Sequence, residues 1–297
     1  MNKKVNSKSY EEILSLITER TIIPDDLQVI YQYTNIEALF NGIIVKEPTK
    51  NEEICLWASD YRYVNAPSEM SIAQKYVNEI FDEYFIEEKN NEIAINLISD
   101  TDYFITSFST TIDSLPMWNM YGKNGSGIAL GFNKDIVHND NNPLYKCVYL
   151  DKKIREKIKS FCENYKGKKI TKEDFHKGFC LIILASLFAF FKGKVKALDE
   201  IIALFQFVIS TKDPAYKYEN EIRLLIKSNK DSKIKYRCQN NLIIPYIENF
   251  FPKNALKEIW VGPTNDMERT IKSLRTYLDY MGFSDVEIIK SEVPYRI

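Results

Sequence analysis

Gln28-Val29-Ile30-Tyr31-Gln32-Tyr33-Thr34-Asn35-Ile36-Glu37-Ala38-Leu39-Phe40 is the stretch from which the fold is read. Its first part, Gln28 to Tyr33, reads as a strand. Thr34 or Asn35 then caps a short helix running through Phe40, with Ile36, Leu39 and Phe40 on its apolar side. Upstream, Ile13, Leu14, Leu16 and Ile17 have helical spacing across 8–20, and Pro24-Asp25-Asp26 ends that element before the strand begins.

Working outward, strands are expected near Ile54 to Ala58, Tyr103 to Phe108, Gly127 to Phe132 and Cys147 to Tyr149, with a polar helix across 68–98. Residues 151–211 read as almost wholly helical. Phe179 to Phe191 is a run of thirteen residues in which only Ser186 is conspicuously polar, and Leu198 to Ile209 is again apolar nearly all round. Thirteen residues are too few to cross a bilayer, which needs about 20. These helices are therefore expected to form a buried hairpin or a surface for a second copy of the chain. Strands return at Glu221 to Ile226, Glu258 to Val261 and Val286 to Lys290, with a helix from Met267 to Met281. The reading is α+β: a single domain with a mixed sheet core over about 28–150 and 212–297 and a helical insertion over about 151–211.

The chain has 297 residues, 45% of them hydrophobic and 13% aromatic, which is enough for one large core. A net charge of −1 excludes a global basic field for non-specific nucleic-acid binding. The local basic runs, Lys152 to Lys159 and Lys166 to Lys172, read as solvated helix faces and exit loops. Met1-Asn2-Lys3-Lys4 leads into polar residues and not an apolar core, so a cytoplasmic protein is expected. Five cysteines without a Cys-x-x-Cys pair fit reduced thiols, with Cys55, Cys147 and Cys180 read as structural. The two histidines, His138 and His176, belong to no metal-ligand spacing. Gly122 to Gly127 has the wrong spacing for a phosphate loop or a dinucleotide fingerprint and reads as a turn into a strand.

Chemistry is concentrated in short motifs spread along the chain. They are Trp57 with Ser59, Ser107-Phe108-Ser109, Met117-Trp118 with Tyr121, Gly127 to Phe132, Tyr218-Glu219-Asn220-Glu221-Ile222-Arg223, and Ile259 to Pro263. Strand alternation would put Glu219, Glu221 and Arg223 on one side, either as a structural ion-pair ladder or as a carboxylate with a phosphate-binding guanidinium. Trp57, Trp118 and Tyr121 can stack on a planar ligand or belong to the core. Ser107, Ser109 and Thr110 can orient a substrate or close the turn before Met117.

In this order the motifs resemble the bacterial domain-of-unknown-function family 2971 over residues 29–297. The opening unit is also similar, more distantly, to ADP-ribosyltransferase folds, especially DNA-targeting toxins. That resemblance implies an ADP-ribosyltransferase-like core with NAD as substrate. Gln32 stands where those proteins carry a catalytic histidine, Ser59 or Tyr61 at the middle position, and Glu221 at the late catalytic glutamate. Tyr31, Thr34, Asn35, Ser59, Trp118, Tyr121, Glu219 and Arg223 would line the NAD site. Glutamine can hydrogen-bond a ribose hydroxyl but cannot ionise. Three functions follow: transfer of ADP-ribose to a nucleic acid or protein by a toxin or anti-phage effector, NAD hydrolysis, or a non-catalytic binding module. On the transferase reading, Glu221→Gln abolishes turnover with folding nearly intact.

Overall fold

The computed structural model describes residues 23–48, 52–64, 103–138, 143–152, 155–156, 210–239, 241–263 and 266–295. The helices expected over 8–20 and 68–98, and nearly all of the 151–211 insertion with its apolar runs, lie outside the described residues. The chain divides into two compact units, one of Met1–Ile23, Asn65–Thr101 and Lys146–Lys217, the other of Pro24–Val64, Asp102–Tyr145 and Tyr218–Ile297.

The second unit is built on a large, mainly antiparallel sheet. Strand β1 (Val29–Thr34) leads into helix α1 (Ile36–Ala38) and a wide turn over Leu39–Ile43. Asn35 caps α1, its Oδ1 accepting from the Ala38 amide at 2.8 Å, which satisfies one of the orphan N–H groups of the first turn. Next come β2 (Ile54–Asp60), β3 (Tyr103–Ser109), α2 (Leu115–Met120), β4 (Ile128–Asn133), α3 (Lys134–Val137) and β5 (Leu144–Lys146). In the first unit, β6 (Val148–Tyr149) and β7 (Thr211–Lys212) pair in parallel as a separate small sheet. The large sheet then receives β8 (Glu221–Lys227), β9 (Lys235–Gln239), β10 (Leu242–Phe251) and β11 (Leu256–Val261). Helix α4 (Met267–Tyr280) and β12 (Glu287–Lys290) close it. The expected Cys147 strand start moves to Val148, and the β9–β10 hairpin is an addition to the sequence reading.

The strand order is β12-β11-β4-β1-β3-β2-β10-β9, with β8 paired to β3 and β5 to β8. β3 organises the sheet. It is paired with β8 along its whole length, but β2 pairs with Phe104 and Ile105 and β1 with Ser109 alone. The two strands therefore diverge along β3. β11 and β12 are the parallel pair, joined by α4, which buries Leu274 and Leu278.

Paired residues in a ladder point to the same side of a sheet, so the registers sort every side chain. One face carries Ile30, Ile128, Leu130, Phe132, Phe108, Ile222, Leu224, Ile259 and Val261, each buried to within 2% exposure. Each such side chain contributes about 1.5–3 kcal/mol of hydrophobic stabilisation. The other face carries Tyr31, Tyr33, Ser107, Ser109, Glu221, Arg223, Trp57, Ser59, Tyr246, Arg237, Glu258 and Trp260. The first face is apolar at these positions, and the second gathers the polar and most of the aromatic side chains.

Candidate functional site

The polar face is richest where β3 meets β8. Their register sets Ser109 opposite Glu221 and Ser107 opposite Arg223. Arg223 forks onto Glu221, Nε to Oε1 at 2.8 Å and Nη2 to Oε2 at 3.0 Å. The two residues are only 4% and 5% exposed, so this is a charge-assisted bidentate pair inside the protein. Burial changes the expectation for Glu221→Gln: withdrawing one charge from such a pair costs stability.

Glu219 does not continue the alternation. Asn220 takes a left-handed conformation, φ 42°, so the strand begins only at Glu221 and Glu219 closes a tight helical turn. Its carboxylate, 3% exposed, accepts from Tyr121 Oη at 2.7 Å. The Asn220 conformation is held from across the strands: the Thr110 amide donates to its carbonyl at 3.1 Å, and its Nδ2 donates to Thr111 Oγ1 at 2.7 Å. Ser109 Oγ donates to the Glu219 carbonyl at 2.6 Å and accepts from the Thr111 amide at 2.9 Å. These hydroxyls tie the end of β3 to the start of β8.

β1 reaches this face through its tyrosines. Tyr31 pairs with Ser109 on one side and Gly131 on the other, and its hydroxyl donates to Glu258 Oε1 at 3.0 Å, an oxygen that also accepts from Trp260 Nε1 at 2.8 Å. Burial, reinforced by the Glu258 charge, pushes the Tyr31 hydroxyl well above its usual range. Burial also raises Tyr33 to about 12. Its hydroxyl donates to the Thr111 carbonyl at 3.2 Å and accepts from the Ser114 amide at 3.3 Å. Gln32 and Thr34 alternate to the other face, where they pair with Leu130 and Ile128. They are not brought together with Glu221, and Asn35 serves as the α1 cap.

Trp118 is wholly buried. It meets Tyr33 edge-on, with ring centres 4.9 Å apart at 78°, and its Nε1 donates to Asp113 at 2.8 Å. Asp113, at φ 52°, also accepts from Ser291 Oγ and from the Glu292 amide. The Trp118 ring is thus a core element with no face for a ligand, whereas of the other two expected stacking rings Trp57 is exposed and Tyr121 part-exposed.

Ser59 lies on the polar face farther along β3, opposite Ile105 and next to Tyr246. Arg237 Nη2 donates to its hydroxyl at 2.8 Å. Tyr61 is 2% exposed in the turn after β2, while Asp60 chelates Arg62 at 2.5 Å. Arg237, Tyr246 and Glu258 are the polar-face residues that sequence reading missed. The signal was present as the alternating Lys235 and Arg237, and Leu242 to Phe251.

The Gly122–Gly127 segment is a turn into a strand, as expected. The amides of Gly122, Gly125, Ser126 and Gly127 all donate to carbonyls of the same segment or of α2, as in a closed turn. His138 accepts from the Leu144 amide through Nδ1 at 3.2 Å. Among the described residues no group of histidine, cysteine, aspartate and glutamate is arranged to hold a metal, and no helix is long and apolar enough to cross a membrane. Cys55 and Cys147 are buried and Cys238 is exposed; burial pushes Cys55 up to about 12.

A family model described as a protein of unknown function (DUF2971) matches residues 117–224. The matched span holds α2 from Met117 on, β4 and the Glu219 to Arg223 element, and it supports the likeness to that family. Neither the curated proteins nor the solved structures yield a match.

Proposed function

We propose that the protein is an NAD-consuming ADP-ribosyltransferase that cleaves the nicotinamide–ribose bond and passes ADP-ribose to a nucleic-acid or protein acceptor. The observation that carries this reading is the register of three strands, which sets Tyr31, Ser109 and Glu221 in a row on one face. The resemblance calls for a first-strand histidine position, a hydroxyl or aromatic on a middle strand and a late carboxylate, and here Ser109 takes the middle position instead of Ser59 or Tyr61. Tyr31 takes the first-strand role in place of Gln32, because strand alternation turns Gln32 to the apolar side.

The donor set suits the substrate. Breaking the bond from ribose C1′ to the nicotinamide nitrogen sends the electron pair to the ring, which leaves neutral, and C1′ becomes an oxocarbenium centre. Glu221, fixed by Arg223, supplies the negative potential that stabilises this cation. The acceptor's lone pair then bonds to C1′, and its proton passes to solvent. Tyr121 offers a part-exposed ring for the leaving base. Water as acceptor makes the same site an NAD glycohydrolase.

One observation favours a non-catalytic binding module instead: Glu219 and Glu221 are 3% and 5% exposed and already hydrogen-bonded to Tyr121 and Arg223. The experiment that separates the readings follows NAD labelled in its adenylate half, with purified protein, nucleic acid and cell lysate. Free nicotinamide with label on a macromolecule supports transfer, and free nicotinamide with free ADP-ribose supports hydrolysis. Absence of nicotinamide release under all conditions overturns both in favour of binding.

A further inference from the structure

The far end of the polar face holds a second constellation, built on β2, β10 and β9. The Arg237 guanidinium carbon lies 5.6 Å from the centre of the Trp57 ring and 6.0 Å from that of Tyr246. The two rings lie 4.5 Å apart at 31°. Arg237 Nη2 donates to Ser59 Oγ, but its Nε is buried with no hydrogen-bond partner. Among the described residues no carboxylate forms an ion pair with Arg237, and Glu248, the acid of the same face on β10, is engaged by Lys235 at 2.7 Å. Burial lowers the Arg237 pKa, the direction expected of a cation partly removed from water with no anion to compensate it. Beside it, Trp57 remains 38% exposed. A guanidinium fork without its anion, next to an open indole, has the chemistry of a phosphate contact joined to a stacking platform.

We infer that Arg237, Ser59 and Trp57 form a nucleoside-diphosphate subsite, with the diphosphate on Arg237 and Ser59 and the base on the exposed part of Trp57. Its place in the sheet links it to the carboxylate. Ser59 pairs with Ile105 and Glu221 with Ser109, four residues apart on β3, or about 13 Å at the rise of a strand. On the transferase reading the dinucleotide would cross β3, its nicotinamide ribose toward Glu221 and its diphosphate and adenosine toward Ser59 and Trp57. This last link rests on the proposed transferase reading; the subsite itself does not.

The test titrates the full chain with ADP, following indole fluorescence and heat. Saturable ADP binding is expected, with adenosine and inorganic phosphate each binding at least tenfold more weakly. Arg237→Ala should weaken ADP at least tenfold, and Trp57→Leu about fivefold. Arg237→Gln keeps a donor for Ser59 and much of the side-chain volume, so a folded variant is at hand, and it should also lose at least tenfold. Absence of ADP binding at millimolar concentration overturns the subsite, as does wild-type ADP affinity in folded Arg237→Gln and Trp57→Leu variants. ADP binding without nicotinamide release from NAD keeps the subsite and overturns the transferase reading. Nicotinamide release with a KM for NAD unchanged by Arg237→Gln keeps the transferase reading and overturns the assignment of this subsite to NAD.

Discussion

Replacing Glu221 by glutamine tests whether the paired carboxylate is part of the protein's stability as well as of its chemistry. The pair is nearly sealed from solvent, with side chains 5% and 6% exposed. Glutamine retains one oxygen, so one of the two bonds at 2.8 and 3.0 Å can survive as a neutral-acceptor bond while the other is lost. A hydrogen bond to a charged group contributes about 1.5–3 kcal/mol, and breaking a buried pair outright costs about 3–5 kcal/mol. With half the fork retained, Glu221→Gln should cost about 2–3 kcal/mol. Arg223→Met, which leaves the carboxylate without that guanidinium, should cost more. The double variant should be less destabilised than the sum by at least about 1.5 kcal/mol, since residues in direct contact couple. Urea unfolding of the four proteins, followed by circular dichroism, measures each quantity. A Glu221→Gln protein within about 0.5 kcal/mol of wild type, or strictly additive single changes, would refute the idea that this pair is structurally coupled. Nicotinamide release by the folded Glu221→Gln protein is measured alongside; on the proposed mechanism it falls to background, and activity comparable to wild type would sink the role of Glu221.

Three further outcomes follow from the same geometry. Tyr121→Phe removes the 2.7 Å donor to the buried Glu219 carboxylate and should lower stability by about 1.5–3 kcal/mol, read as a shift in the urea midpoint. Gly127→Ala would set a Cβ 2.2 Å from the Thr34 carbonyl oxygen and 2.8 Å from that of Gly122; both contacts are backbone, so a loss above about 2 kcal/mol is expected in the same assay. For pH, the Tyr33 hydroxyl rises from 10.0 to about 12 on folding, and Tyr31 moves the same way. The unfolded chain gives up the Tyr33 proton near pH 10, and the folded protein holds it to about 12. Stability from the neutral hydroxyl is therefore complete below the lower value and lost as pH rises toward the upper one. Urea midpoints at pH 9 and 11 should differ less in Tyr33→Phe than in wild type, and an equal difference would contradict this.

What was legible in the sequence was what local physics determines. Asn35 caps α1 because its side chain reaches an amide three residues on, and β1, β3, β8 and α4 lie where apolar pattern and punctuation put them. The β9–β10 hairpin was missed because Pro245 and the charged Lys235 and Arg237 obscure the strand pattern. Site geometry was harder to read, since it depends on partners far away in the chain. Gln32 faces the apolar side because it pairs with Leu130, and nothing within β1 dictates that choice. Glu219 and Glu221 part company because Thr110 and Thr111 hold Asn220 in a left-handed turn. Trp118 is core because Asp113 and Tyr33 claim its nitrogen and its ring.

The position of β4 between β1 and β11 has a consequence for how the protein is made. Its neighbours come from opposite ends of the described chain, Val29–Thr34 and Leu256–Val261. A ribosome that has released β4 has supplied only one of its two edges. The other stays bare until more than a hundred further residues have emerged, and a bare apolar edge is what chaperones bind and what aggregates propagate from. Premature termination ahead of β11 would thus release a chain whose central strand is open to neighbouring molecules.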